Sequence, residues 1–217
     1  MSFGKLLKLA HTFFICAKTR AESEGFPEVD EFEKIKKYVG QPGIFFHMSS
    51  SDTVWGVNVS TKYNTPIGIY LYPLNSEHYN KLISGSLPFL TGSPYVWIFQ
   101  VDGNIINSSS YSKSDLLQDV EKLSKKHEKV EELFEQSKIK SSQPHPLSQL
   151  FYIIYELSGG IGNASIAKVT NIFKNLGYDG VFDDAGIGII HPSERIQAVV
   201  FSTKNCKPIE LVKNKNQ

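Results

Sequence analysis

Residues 45–49 read Phe-Phe-His-Met-Ser and residues 65–73 read Thr-Pro-Ile-Gly-Ile-Tyr-Leu-Tyr-Pro, and a further tyrosine follows at Tyr79. The first stretch is an apolar run that ends on His47, and the second is an aromatic run that begins at Gly68. Short apolar runs bounded by glycine, proline or serine are typical of buried strands. The sequence therefore predicts two strands here, with a histidine at the end of the first.

Composition limits the class of protein that these strands belong to. The chain has 217 residues, of which 41% are hydrophobic and 21% charged, enough for one well-buried domain. Because the chain has 23 basic and 22 acidic residues, its net charge of +1 gives no overall attraction to nucleic acid or membrane. Cys16 and Cys206 lie near opposite ends, which favours reduced thiols over a disulfide.

The N-terminus predicts a helix and not a secretory signal, because Lys8 and His11 interrupt its apolar residues. No apolar run approaches the roughly 20 residues that span a bilayer. We therefore expect a cytoplasmic protein with no membrane partner.

Periodicity predicts an α+β protein, because strands occur in two groups separated by helices. We expect an N-terminal helical segment over residues 1–42 and a single domain over 43–217. The predicted helices are 6–17, 29–39, a long striped helix 114–138, 147–157 and one from Asn163 to Gly177. The further predicted strands are 95–101, a hairpin partner at 104–107 after Asp102-Gly103, and short strands at 178–182, 188–190 and 197–201, before a polar tail.

The motifs around His47 and Tyr70 resemble those of the ADP-ribosyltransferase superfamily, in its poly(ADP-ribose) polymerase and diphtheria-toxin class. His47-Met48-Ser49 is similar to the family's His-Gly-Ser/Thr motif, with methionine in place of glycine. Gly68-Ile69-Tyr70 is similar to the second motif, and Tyr79 falls where a second stacking aromatic often lies. The resemblance implies a cleft between split antiparallel β-sheets, with a helical insertion at about 114–162.

The resemblance also implies roles for these residues. His47 would orient the nicotinamide ribose of NAD, with Met48, Ser49 and Gly68 beside the ligand, and Tyr70 and Tyr79 would stack on nicotinamide. A flat electron-rich ring suits a cationic pyridinium. NAD would be the substrate, and no metal is implied. In the alternative interpretation these residues have only structural roles: the histidine lies at a strand end, and the aromatic residues belong to a strand core.

The third motif departs from the family. Family members carry a glutamate where Gln197-Ala-Val-Val-Phe201 begins, and an amide can orient a ribose but cannot act as a base. Three explanations remain open: the acceptor needs little deprotonation, Glu194 supplies the carboxylate, or the site binds without turnover. The pair Asp183-Asp184 is another carboxylate source, although acidic residues are common in turns.

Two other signals are weaker. The run Gly159-Gly160-Ile-Gly162-Asn163 lacks the strand and spacing of a dinucleotide-binding loop, which favours a helix–helix turn. The lysines of 122–140 alternate with glutamates, which favours a solvated face or a protein-docking surface over a nucleic-acid site.

Together the motifs predict a mono-ADP-ribosyltransferase that modifies a macromolecule, with nucleic acid, including RNA, slightly favoured over protein. The resemblance favours a bacterial toxin or phage-defence effector with an antitoxin docked on 114–138. A degenerate binding module and an NAD glycohydrolase are the alternatives.

Overall fold

The computed structural model describes residues 29–53, 66–87, 93–140, 145–160, 163–190 and 196–213. The α-helices of these parts are α1 (Val29–Glu33), α2 (Ser76–Ile83), α3 (Lys113–Ser124), α4 (Val130–Lys140), α5 (Pro146–Leu157) and α6 (Ile166–Leu176). The strands are β1 (Ile44–Ser49), β2 (Ile69–Pro73), β3 (Tyr95–Val101), β4 (Ile105–Asn107), β5 (Gly180–Phe182), β6 (Ala198–Val200) and β7 (Cys206–Lys213). Short 3₁₀ turns occupy Lys36–Tyr38 and Thr203–Asn205. The predicted α+β class is confirmed.

The chain divides into two compact units. The first is drawn from Met1–Val57, Leu74–Phe99 and Pro208–Gln217, and the second from Asn58–Pro73 and Gln100–Lys207. Helix α1, which lies in the predicted N-terminal segment, thus belongs to the same unit as β1. The predicted first helix, 6–17, lies outside the described residues.

The first unit holds β1 and most of β3 and β7, which lie side by side in that order. Helix α2 begins after Asn75, whose side chain accepts the backbone N–H of His78 and so caps the helix. Phe46 on β1 is fully buried and its ring meets the edge of the buried His78 imidazole, with centroids 6.2 Å apart. The contact places α2 against one face of β1.

In the described part of the second unit, four strands lie in the order β4-β5-β6-β2. Strand β6 pairs antiparallel with β2 and with β5, as the expected sheets require, but β4 and β5 are parallel. The prediction of purely antiparallel sheets is therefore wrong for this pair. The prediction of a hairpin after Asp102-Gly103 is wrong as well, because β4 takes β5 as its partner.

Helices α3 to α6 pack over the strands of the second unit. Their apolar side chains, among them Leu150 and Phe173, form one buried cluster with Val181 of β5 and Val199 of β6. Burial of this cluster supplies the main hydrophobic stabilisation of the unit. The residues predicted as an insertion at 114–162 thus contribute to the core of the second unit.

Several predicted element boundaries are wrong. The long helix 114–138 is two helices, since α3 ends at Ser124 and α4 begins at Val130. The helix predicted to begin at Asn163 begins after Ser165, while its predicted end at Gly177 is confirmed by a left-handed φ of 97°. Residues 188–190 form no strand, and the predicted polar tail contains β7.

Candidate functional site

Tyr70 on β2 and Gln197, the residue before β6, share one face of the second unit's strands. Tyr70 is the register partner of Val199. Gln197 lies two residues before Val199, and its carbonyl accepts the backbone N–H of Asp183 at 2.9 Å, which continues the β5–β6 pairing by one residue. Opposite residues and residues two apart point to the same face of a sheet. The structure therefore brings two of the predicted site residues together.

The side-chain oxygen of Gln197 is the unusual atom of this site. Gln197 is only 7% exposed, and its Oε1 has no hydrogen-bond partner among the described residues. A buried acceptor without a donor costs about 1–3 kcal/mol relative to a satisfied one. The unpaired oxygen of Gln197 therefore destabilises the folded protein, and a hydrogen bond from a ligand hydroxyl or N–H group would offset this.

Tyr70 is half-buried and packs against the core cluster of the second unit. Its hydroxyl donates to the carbonyl of Pro66 at 2.9 Å. Tyr155 of α5 lies near enough that burial first, and then the Tyr70 phenol, raise the pKa of Tyr155. These contacts fix the ring orientation of Tyr70 on the face that also carries Gln197.

Gly68 has a packing reason for lacking a side chain. A Cβ atom at this position would lie 2.4 Å from the carbonyl oxygen of Val200 and 2.7 Å from Cγ2 of Val199. Gly180 on the other side of β6 has the same constraint, since its Cβ would lie 2.6 Å from the carbonyl oxygen of Val199. The glycine of the predicted nicotinamide motif thus permits close approach of two backbones, whatever else it does.

The carboxylates of Asp183 and Asp184 are both occupied by internal hydrogen bonds. Asp183 is fully buried, and it accepts the Ser108 hydroxyl and the backbone N–H groups of Ile187, Gly188 and Ile189. A buried carboxylate with four donors is a structural anchor for its loop.

Asp184 accepts the backbone N–H of Ser109 at 2.8 Å and the Ser109 hydroxyl, and its Oδ1 lies 3.1 Å from the Ser108 hydroxyl, whose single proton it shares with Asp183. Burial acts to raise the pKa of Asp184, but the hydrogen bonds to its carboxylate, chiefly from Ser109 and then from Ser108, together outweigh it, so the pKa lies below its ordinary value. The second carboxylate of the pair is therefore also held in a turn.

Four other predicted site residues lie in the first unit. His47 and Met48 are half-buried on β1, and the buried Ser49 accepts the backbone N–H of Ser51 through its Oγ at 3.0 Å. Tyr79 on α2 is buried, and its hydroxyl lies 3.3 Å from Oε1 of Glu33. Burial is the main reason that the pKa of Tyr79 is raised. Glu194 lies outside the described residues.

A buried carboxylate that the sequence reasoning missed lies on α3. Asp119 is 1% exposed and accepts the hydroxyls of Tyr111 and Tyr178 at 2.8 Å and 2.7 Å, while Lys122 Nζ lies 3.1 Å from its other oxygen. Burial, and then the Asp119 carboxylate, raise the pKa of both tyrosines. The signal was present, because Asp119 falls on the apolar stripe of α3 between Leu116 and Leu123.

Among the described residues, no three His, Cys, Asp or Glu side chains are grouped as a metal site would need, and no helix is long and apolar enough to cross a membrane. Comparisons of the chain with family models, with curated proteins and with solved structures gave no match.

Proposed function

We propose that this protein is an ADP-ribosyltransferase that uses NAD as its substrate. The observation that carries the proposal is the buried, unpartnered amide oxygen of Gln197. It occurs at the position that the sequence resemblance assigns to the group contacting the ribose 2′-hydroxyl. A hydroxyl donor from NAD would satisfy this oxygen and remove the cost of leaving it unpaired.

Tyr70 supports the same proposal, because it shares the Gln197 face of the second unit and its ring is held by the Pro66 hydrogen bond. A fixed aromatic ring stacks on a pyridinium with little loss of side-chain entropy. His47 and Tyr79 enter the proposal from the resemblance alone, as the ribose-orienting and second stacking groups, and the resemblance likewise assigns Met48, Ser49 and Gly68 to ligand binding.

The reaction follows from these roles. The bond between ribose C1′ and the nicotinamide nitrogen breaks, and its electron pair leaves with nicotinamide. Positive charge develops on the ribose, and a nucleophile of the acceptor forms the new bond to C1′ and loses its proton to solvent. The Gln197 amide would hold the 2′-hydroxyl through this step, and Glu194 would supply any negative charge. No metal takes part in this scheme.

The acceptor in this proposal is a macromolecule, with nucleic acid favoured. The neutral Gln197 amide cannot deprotonate an acceptor group. A ring nitrogen of a nucleic-acid base can attack through its lone pair without first losing a proton, so it does not need this help. A transferase of this kind would act as a cytoplasmic toxin or defence effector. Its neutralising partner would dock on the helices over 114–138, where Leu117 on α3 is 46% exposed.

The test is incubation of purified protein with adenine-labelled NAD and separate pools of RNA, DNA and cell protein. Label in one pool is the expected result, and it also names the acceptor class. NAD loss without labelled polymer would identify a glycohydrolase instead. Intact NAD and blank pools, with folded protein, would refute both activities.

Variants at Gln197 sharpen this test. Gln197→Glu restores the carboxylate that the family carries, so we expect labelling to rise about tenfold or more, because a positioned charge stabilises the developing cation. Gln197→Leu removes the acceptor, and labelling should be lost. Gln149→Glu is the matched control, because Gln149 is another buried glutamine, on α5. An equal response of both glutamate variants would refute the role of Gln197.

Expression in cells gives an independent readout. The proposed toxin should arrest growth, Tyr70→Phe should keep the stacking ring and the arrest, and Tyr70→Ala should relieve it. Equal toxicity of the alanine variant would contradict the proposed nicotinamide contact.

A non-catalytic binding module is the second candidate, and the hydrogen-bonded state of Asp183 and Asp184 favours it. The carboxylates of Asp183 and Asp184, which follow β5 beside Gln197, already accept hydrogen bonds from groups of the same chain. On this hypothesis NAD or another hydroxyl-bearing ligand binds without turnover. Calorimetric binding of NAD without nicotinamide release would distinguish the module from the enzyme.

A further inference from the structure

A cavity of about 230 Å³ opens in the second unit, between the C-terminal ends of α3 and α6. Its apolar lining consists of Leu123 on α3 and of Ile172 and Leu176 on α6, all of them buried. The cavity is large enough for a small organic ring. Its apolar lining therefore favours a ligand with an apolar part.

Among the described residues that line the cavity, the ionisable side chains are all basic. Lys122, Lys125, Lys126 and His127 line it together with the amide of Asn175, and none of these described lining residues is acidic. Lys125 pairs with Glu121 at 2.9 Å, but both side chains are about two-thirds exposed, so this ion pair is weak and open to exchange. An anionic group would find several ammonium donors in the cavity lining.

One of these lysines, Lys122, is held in place by a buried carboxylate. The buried Asp119 carboxylate contacts Lys122 Nζ at 3.1 Å and is itself fixed by the hydroxyls of Tyr111 and Tyr178. The ammonium group of Lys122 is thereby oriented before any ligand arrives. Preorganised donors bind at a smaller entropic cost than mobile ones.

The lysines are not required to satisfy the helix ends, although cations do stabilise helix C-termini. At the end of α6, Gly177 and Tyr178 donate their backbone N–H groups to the carbonyls of Lys174 and Phe173. At the end of α3, the carbonyl of Leu123 accepts the backbone N–H groups of Lys126 and His127. These carbonyls have backbone partners, so they do not require the lysine side chains as donors.

We propose that this cavity binds a phosphate monoester carried on a small apolar or aromatic body. The dianionic phosphate contacts Lys122, Lys125 and Lys126, and the apolar body rests on Leu123, Ile172 and Leu176. A dianion matches several point-charge ammonium groups better than a carboxylate does. The inference does not depend on the proposed NAD chemistry, because none of these residues belongs to that site.

The test is isothermal titration of the full chain with phenyl phosphate at low salt, with inorganic phosphate and phenol as partial ligands. We expect phenyl phosphate to bind more tightly than inorganic phosphate, and phenol not to bind measurably. Equal affinity for phenyl phosphate and inorganic phosphate would overturn the role of the apolar lining, and absence of phenyl phosphate binding would overturn the site.

Two double variants of equal charge provide the control. Lys125→Ala/Lys126→Ala removes two cavity lysines, and we expect phenyl phosphate affinity to fall about tenfold or more, because charge-assisted hydrogen bonds are lost. Lys81→Ala/Lys138→Ala removes two exposed lysines that pair with Glu77 and Glu135 elsewhere. It should bind within about twofold of the original chain, since exposed charges outside the site contribute little. Equal weakening by both pairs would show non-specific charge attraction and overturn the proposal.

Discussion

The backbone N–H of Asp183 donates to the carbonyl of Gln197 at 2.9 Å, so Asp183, which follows β5, lies beside Gln197, which precedes β6. Their side chains differ sharply in how well they are satisfied. The Asp183 carboxylate has four donors, whereas the Gln197 amide oxygen has none among the described residues. The carboxylate at the end of β5 is thus satisfied by donors that include its own loop, whereas the residue before β6 carries a buried acceptor without a donor in the described part of the chain.

The carboxylate of Asp183 should be a major contributor to the stability of the second unit. Asp183→Asn keeps the size of the side chain but turns one acceptor into a donor that faces N–H groups. We expect a loss of about 3 kcal/mol in the free energy of unfolding, measured by urea denaturation. Asp102→Asn, an exposed aspartate of the same unit, should change this free energy by less than about 0.5 kcal/mol. A similar loss in both variants would contradict the anchoring role.

Gly68→Ala should destabilise the second unit through backbone collision. The added Cβ would lie 2.4 Å from the carbonyl oxygen of Val200, which cannot move without disturbing β6. We expect a loss of about 3 kcal/mol or more in urea denaturation. Gly177→Ala is the matched control, because its Cβ meets open space and only the left-handed φ of 97° is strained. That strain costs about 1–2 kcal/mol, so equal losses would refute the collision.

His78 should make the first unit less stable in mild acid. Burial, and then the positive charge of Lys81, hold the pKa of His78 below its ordinary value of 6.5, with a smaller opposing effect from Glu77. The folded protein therefore binds fewer protons at this site than the unfolded chain. The stabilisation is complete above pH 6.5 and is lost as the pH falls toward the lowered pKa.

Thermal unfolding between pH 7.5 and pH 5 measures this effect. The melting temperature should fall across the range, and His78→Gln should make the fall shallower, since the titrating group is gone. An identical pH dependence in the two proteins would contradict the assignment.

Cys206 should resist alkylation in the folded protein. Burial raises the pKa of its thiol to about 12, and only the thiolate reacts rapidly. In a Cys16→Ser variant, which leaves Cys206 as the remaining thiol, iodoacetamide at pH 8.5 should modify the protein only after urea is added. Mass spectrometry checks this, and rapid modification without urea would show that the start of β7 opens readily.

Strong local patterns predicted their elements well. The run Tyr95–Val101 is apolar except for Gln100 and forms β3 with the predicted bounds, and Pro146 followed by an apolar stripe forms α5. In both cases local periodicity and burial agree. The α+β class follows from such segments.

Predictions failed where a distant residue decides the local structure. Asp102-Gly103 carries a strong hairpin signal, yet Asn104 bonds to Asp179 and Gly177, and this directs β4 to β5. The break between α3 and α4 falls within an unbroken run of charged residues that gives no stop signal. Similarly, the sequence predicts Gln197 as a site residue, but its missing donor is a property of the packed structure.

The loop after β5 arranges its backbone N–H groups as an anion-binding site does, and the anion that they bind is a side chain of the same protein. The backbone N–H groups of Ile187, Gly188 and Ile189 converge on the Asp183 carboxylate, as such groups converge on free anions in other nests. The carboxylate and the N–H groups that bind it are separated by only four to six residues, so occupancy does not depend on any solute. Shortening the side chain to that of glycine would turn this closed arrangement into a vacant receptor that added formate or acetate could fill.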